Sequence, residues 1–333
     1  MKKLSKLFIT ILVAVGLVIL PTTLKVEASP PSKPASQAFD NKIVKKIDKE
    51  KIYNHVYELS VDIGIRVAGT KEEKEAIDYI VSQYQSYGLD VEVQPFEFQR
   101  REDGEIVTKT SHNVIATKKA HKNHDTGEII YVGSHHDSVP GSPGASDNAS
   151  GIGVNMEIAR ILSKMPTTSE IRFVTFGAEE LGLLGSKHYV STLTEDEKNR
   201  SMGMFNFDMV GSENAGEMIM FTVDGERNII TNTGASSSLR VSDSLTYGQV
   251  GRSDHQSFHD AGIPAAVFSY APLEPEYHQP TDTIDKISKE KMEEVAKVVS
   301  ASIYQLARKQ TPALDHSNVA PEPVEPPYED RPL

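Results

Sequence analysis

Five short segments carry side chains able to hold a divalent metal, and they follow one another in a suggestive order. Gly133-Ser134-His135-His136-Asp137 comes first, then Ser146-Asp147-Asn148, Glu179-Glu180, Asn206-Phe207-Asp208 and Tyr277-His278. Each stands at or just beyond the end of an apolar, β-branched run that reads as a buried strand. Ligands of open α/β sheets bind outside the carboxyl ends of the strands. The segments are therefore expected to bring His, Asp, Glu, Asp and His to one sheet edge. Neutral imidazoles with carboxylates suit zinc or a similar divalent ion in a hydrolytic site. A structural zinc site would more often use cysteine, and the sequence has none.

The residue types suggest separate tasks. His135 reads as a ligand and Asp137 as the carboxylate that fixes its ring, since a metal-bound imidazole usually passes its second N–H to an acceptor. His136 is the competitor, and strand alternation points it the other way. Asp147 lies in a Gly/Ser/Ala-rich loop, residues 141–151, whose small residues let the backbone pass close to an ion. Its plainer role is to cap the helix that follows. Glu179 and Glu180 sit between an apolar strand and an apolar turn, residues 181–185. Adjacent carboxylates held there would repel unless one bound metal and the other took a proton from a water activated by the ion. Asp208 ends a run too apolar for an exposed edge. Tyr277, beside His278, could steady a developing oxyanion or simply pack its ring under the loop.

These residues need a scaffold, and the periodicity supplies one. Ile43, Ile47, Ile52, Val56 and Leu59 recur at helical spacing from Asp40 onward. Thr70 with Glu73 forms a capping box for a helix that ends at Gly88. Extended runs follow at 91–98, 113–117 and 128–133. The helix after Ser150 has apolar stripes on both sides, which predicts burial against the sheet. Strands at 171–176, 202–207, 218–223 and 265–270 alternate with helices at 183–193 and 290–308. This pattern predicts an α/β fold, a single domain whose mostly parallel central sheet is flanked by helices.

The ends of the chain read differently. Lys2, Lys3 and Lys6 precede an apolar stretch at 7–20, and Val26-Glu27-Ala28 offers a signal-peptidase site, so cleavage is expected after Ala28. Residues 29–39 read as a flexible leader and 40–310 as the catalytic domain. The Pro/Glu-rich stretch 311–333 reads as a disordered tail. Losing four lysines and Glu27 with the signal takes the formal net charge from −12 to about −15. That acidity argues against nucleic acid or an anionic membrane as partner. It fits a secreted protein without disulfides.

The motifs His-x-Asp, Ser-Asp-Asn-x-Ser-Gly, Glu-Glu-x-Gly-x-x-Gly-Ser, Asn-x-Asp-Met and Tyr-His-x-x-x-Asp resemble the secreted bacterial di-zinc aminopeptidases of metallopeptidase family M28. The resemblance spans residues 42–308 and includes Gly251-Arg252-Ser253-Asp254-His255 and Ala261-Gly262-Ile263-Pro264. It implies the zinc aminopeptidase (phosphorylase/hydrolase-like) fold and two zinc ions bridged by Asp147. His135 and Asp208 would complete one ion's shell, Glu180 and His278 the other's. Glu179 would serve as general base and then acid, Tyr277 as oxyanion donor and Arg252 as a substrate contact. The Asp147–Asn148 peptide would be cis. Substrates would be peptides with a free N-terminus, acted on by a monomer. Readings left open are a single-zinc glutaminyl cyclase, a carboxypeptidase or dipeptidase, and a binding module without catalysis. The remaining histidines, including His55, His112, His188, His255 and His259, read as structural or surface residues.

Overall fold

The computed structural model describes residues 40–102, 104–308 and 322–323. The signal and leader segments therefore lie outside the described residues, as does the tail apart from Glu322 and Pro323. Helices α1 (Lys49–Tyr57) and α2 (Lys71–Ser86) come first, followed by a hairpin of β1 (Asp90–Glu102) and β2 (Glu105–Lys118). Next are β3 (Ile129–His135), α3 (Gly151–Leu162), β4 (Glu170–Phe176), α4 (Leu184–Thr192) and α5 (Glu195–Arg200). Strands β5 (Ser201–Phe207) and β6 (Glu217–Thr222) precede α6 (Ile229–Val241), β7 (Thr246–Gln249) and α7 (His255–Asp260). The chain closes with β8 (Ala265–Ala271), α8 (Lys289–Leu306) and a two-residue β9 (Glu322–Pro323).

The strands form one sheet in the order β1-β2-β4-β3-β5-β8-β6-β7-β9. Its centre, β4-β3-β5-β8, is parallel, as expected of buried apolar runs joined by helices. The hairpin at one side is antiparallel, and β6 runs antiparallel to β8 at the other. Alternation along the strands sorts two cores. Ile130, Val132, Phe173 and Phe205 face α1, α2, α3, α6 and α8, whereas Ile129, Tyr131, Phe176 and Met204 face α4 and α7 through Tyr189, Val190 and Phe258. Helix α3 is buried at every position but Arg160, which accounts for its two apolar stripes.

The structure departs from the sequence reading in three of the elements that reading named. The first helix is broken: residues 40–44 end in a turn, and α1 restarts at Asp48, whose carboxylate accepts the N–H groups of Glu50 and Lys51. An N-cap placed inside an apolar pattern stops the pattern from being one helix. The capping box at Thr70 is half formed. Thr70 Oγ1 accepts the Glu73 N–H, but the Glu73 carboxylate turns to the Gly69 N–H (2.6 Å) and the Ser111 hydroxyl (2.5 Å). Third, the hairpin runs well past the two apolar runs read as strands.

One buried side chain ties the loops above the sheet edge together. Arg66 is fully buried and donates Nε–H to the His136 carbonyl (2.9 Å). Its Nη1 reaches the carbonyls of Leu59, Gly64 and Pro143, and Nη2 that of Gly144. Five carbonyls from three segments thus share one planar, five-donor fork. Burial pulls the guanidinium down to about 10, while Asp282, Asp137, Asp147 and Glu180 work to keep it charged. Replacing it by methionine strands several buried acceptors at about 1–3 kcal/mol each. Arg66→Met is therefore expected to lose at least about 3 kcal/mol of stability in urea unfolding, and Arg66→Lys, which lacks the fork, to recover little of it. A loss below about 1 kcal/mol for Arg66→Met would show that the loops hold without the clamp.

Candidate active site

Adjacent strands deliver the site. His135 ends β3, Glu179 and Glu180 follow β4, Asp208 follows β5, and His278 lies seven residues beyond β8. Asp147 does not stand at a strand end; it arrives in the loop between β3 and α3. These six residues line one cavity of about 300 Å³ together with Tyr277, Arg252 and Met209.

The two imidazoles face opposite sides of one carboxylate. His135 donates Nδ1–H to the Asp137 carbonyl (3.2 Å), which turns Nε2 into the cavity. That nitrogen lies 3.2 Å from Asp147 Oδ1 and 3.4 Å from Asp208 Oδ1. His278 Nε2 lies 3.2 Å from Asp147 Oδ2 and 3.0 Å from Glu180 Oε2. His136 is elsewhere, with Nδ1 at 3.2 Å from Thr175 Oγ1 and Nε2 at 3.5 Å from Glu73.

Every acidic residue is held from behind. The Asp137 carboxylate approaches His135 Nδ1 (3.5 Å) and also accepts the N–H groups of Glu179 (3.1 Å) and Glu180 (3.3 Å). One side chain thereby aims the histidine and the glutamate turn together, a second task that its position in the sequence did not disclose. Asp282 accepts from the Ser146 N–H (2.7 Å) and the Asp147 N–H (3.0 Å). It belongs to the Tyr-His-x-x-x-Asp motif, but only the fold gives it this role. The Asp147–Asn148 peptide is cis, as the resemblance implied. Asn148 Nδ2–H₂ donates to the Phe207 carbonyl (2.8 Å), pinning the loop to the end of β5. Asp208 accepts from the Ser253 hydroxyl (2.7 Å), which itself accepts from Asn206 Nδ2 (2.7 Å).

Tyr277 stacks its ring on His278, with centroids 3.8 Å apart. It lines the cavity, so packing and a contact with substrate are compatible roles. Arg252 is exposed at the cavity mouth, its N–H donating to Gln256. Backbone strain concentrates here as well. Among the described residues, five non-glycine residues have φ between 53° and 70°: Ala178, Leu183, Met209, Arg252 and His278. Four line the cavity and the fifth precedes Glu179. Such conformations cluster at functional sites because the surroundings must enforce them.

The donor set fits cations. Two groups of donor atoms lie within 4.8 Å of one another: His135, Glu179 and Asp208, and His135, Asp147 and Glu180. Glu180 Oε1 and Asp208 Oδ1 are buried with no hydrogen-bond partner, although Asp208 Oδ1 approaches His135 Nε2. Burial pushes the Glu179 carboxyl well above its usual range, with Asp208, Asp254 and Glu180 adding to the effect against His135. Burial and Asp147 lift Glu180 to about 7, while contacts with Asp147 and Glu180 raise His278 to about 10 against the burial that would lower it. The two glutamates, whose carboxyls resist ionisation here, are relieved when divalent cations take the place of protons.

Known proteins share this fold. Residues 113–303 match the description "Peptidase family M28". The chain is 43% identical over 233 residues to "Aminopeptidase YwaD" of Bacillus subtilis, a match covering 63% of this chain and 51% of that protein. It spans about half the length, or less, of the curated relatives it matches. Among solved structures, "Aminopeptidase from Aneurinibacillus sp. strain AM-1" superposes with a TM-score of 0.78 at 38% identity, covering 81% of this chain and 96% of that one. "BSAP, a zinc aminopeptidase from Bacillus subtilis" gives 0.75 at 30% identity, covering 80% and 97%. With its sheet, its cavity and more than half its length matched, the chain belongs to peptidase family M28.

Proposed function

We propose that this chain is an exported zinc aminopeptidase that removes the first residue of peptides, using two ions bridged by Asp147. The observation that carries the reading is the pair of 3.2 Å approaches from Asp147 to His135 and His278 on its two different oxygens. His135 and Asp208 would complete one ion's protein ligands, Glu180 and His278 the other's. The zinc aminopeptidase among the similar structures supports the choice of metal.

Zinc, when bound, polarises the peptide carbonyl and makes water a better nucleophile at neutral pH. The rest is the work of side chains. Glu179, whose carboxyl favours protonation, takes the proton from the attacking water and passes it to the nitrogen of the leaving amine. Asp137 holds the Glu179 backbone so that the carboxylate returns to one place between the two transfers. The Tyr277 hydroxyl stays protonated, because burial and the surrounding carboxylates push it far above the usual range. It can therefore donate to the carbonyl oxygen as charge develops there. The acidic cavity also favours the cationic amine of a peptide's free N-terminus, which restricts cleavage to the first residue.

A glutaminyl cyclase would need one ion, and the two overlapping donor groups favour two. Incubation with a glutamine-initiated peptide separates the readings: hydrolysis releases the first residue, whereas cyclisation releases ammonia and leaves the peptide whole.

Glu179→Gln is expected to keep both zinc ions by elemental mass spectrometry while turnover falls about 100-fold or more. Near-normal turnover in the fully metallated variant removes Glu179 from the chemistry. Asp147→Ala is expected to retain less than one firmly bound zinc per chain and His136→Ala to retain two, and the reverse pattern would exchange their roles. Export implies that protein recovered from culture medium begins at Ser29, which N-terminal sequencing reads directly; material beginning at Met1 would rule out cleavage after Ala28.

A further inference from the structure

Beside the cavity runs a second and larger groove, of about 630 Å³. It is lined on one side by residues 96–100 of β1 and on the other by Leu181, Leu184 and His188. Its position follows from strand register. β2 pairs with β4 only through Val114–Thr175 to Lys118–Ile171, whereas β1 and β2 continue to pair as far as Glu102–Glu105. Residues 95–112 of the hairpin therefore overshoot the sheet edge at which β4 ends, and that is the edge carrying Glu179 and Glu180. The hairpin stands beside the site as a wall.

The opposite wall belongs to the site's own turn. Glu179, Glu180, Gly182, Leu183 and Lys187 face the cavity, while Leu181, Leu184 and His188 face the groove. One turn thus lines both spaces. Leu181 is an exposed leucine, 40% accessible, at that junction.

Consecutive residues from both faces of the β1 pleat line the groove, so it follows the strand's edge and not one of its faces. Among the described residues β1 pairs only with β2, which leaves its other edge free. Pro95 has no N–H and fits an edge strand with its nitrogen turned outward. Glu97 and Gln99, two and four residues on, share that orientation and present outward N–H and C=O groups. Residues 96–100 span about 15 Å at the usual rise of a strand, the length of four or five extended residues.

We propose that this groove is a subsite for the downstream part of a peptide substrate. With its first residue in the cavity, the peptide leaves past Leu181 and lies extended along the free edge of β1. Backbone bonds to Glu97 and Gln99 hold it there, and an apolar side chain rests on Leu181 and Leu184. Addition of a strand to an exposed edge is a common mode of peptide recognition. The occupant follows from continuity with the cavity: a chain whose N-terminus is at the ions must continue somewhere, and this edge offers the unpaired groups a backbone needs. The proposal rests on the aminopeptidase reading of the site.

Two substrate series with the same first residue test it in the full-length metallated protein. One is a single-residue chromogenic amide that ends at the scissile bond. The other is peptides of two to six residues with leucine or aspartate at the third to fifth positions. The expected result is a kcat/KM that rises about 10-fold from dipeptide to apolar pentapeptide, chiefly through KM, because the added contacts bind ground and transition states alike. Leu181→Asp and Gln99→Pro are each expected to abolish that rise and leave amide hydrolysis within about two-fold. A flat dependence on length, or variants that keep the rise, overturns the subsite. Failure to cleave either series overturns the aminopeptidase reading instead. The groove is then decided by the anisotropy of a C-terminally labelled apolar hexapeptide: binding weakened by Leu181→Asp upholds it, and unchanged or absent binding overturns it.

Discussion

Repulsion among Asp147, Glu179, Glu180 and Asp208 is the constraint on which the rest of this structure turns. All four line one cavity, and all but Glu180 are under a tenth exposed. Like charges withdrawn from water cost several kcal/mol each unless countered. The protein opposes the collapse or splaying of this cluster with fixed donors. Backbone N–H groups are aimed at Asp137 and Asp282, a hydroxyl is aimed at Asp208, and the Arg66 fork lies behind the loops. Of these donors only the Arg66 guanidinium is charged, and its N–H groups are directed at backbone carbonyls and not at the four carboxylates facing the cavity. They keep the acids in place, and the compensating charge must come from what binds.

The sheet makes this arrangement stiff. β4, β3, β5 and β8 lie side by side, and strands in a sheet are about 4.8 Å apart. His135, the glutamate pair, Asp208 and the Tyr277–His278 loop inherit that spacing. Among the four acids only Asp147 does not follow closely on a strand, and its loop is tied at several points, to Asp282, to the end of β5 through Asn148, and to Arg66 through Pro143 and Gly144. Secure attachment of the one loop-borne acid explains why so much of the buried polar network gathers around residues 143–151.

Much of this was legible in the sequence because the signals were local. Apolar runs that end in His or Asp marked strand ends, and the double stripe on α3 marked a helix buried on all sides. What escaped notice depended on distant partners. Arg66 carries no motif, and three of the five carbonyls it gathers lie 70 to 78 residues further along the chain. Helix α6 is rich in Ser, Thr and Gly, residues of weak helix propensity, and is set by its Asn228 cap and by packing on α8. The outer part of the β1–β2 hairpin carries Arg100, Arg101 and Glu102, which hide its alternation. Asp137 was read as a partner of His135, but its bonds to Glu179 and Glu180 cross 42 and 43 residues.

The five left-handed residues around the cavity have a consequence for how the molecule comes apart. Glycine would adopt φ of 53° to 70° at little cost, yet these positions carry Ala, Leu, Met, Arg and His. The fold therefore holds conformational energy in a narrow ring around the cavity, while of the parallel strands beneath β3 is buried throughout and β5 from Gly203 onward. On warming, amide exchange would quicken first in the turns at 178–183, 209 and 252 and in the loop at 278, well before β3 or β5. Loss of the chemistry would then precede loss of the fold, and a sample that still scatters and absorbs as native protein could already be inert.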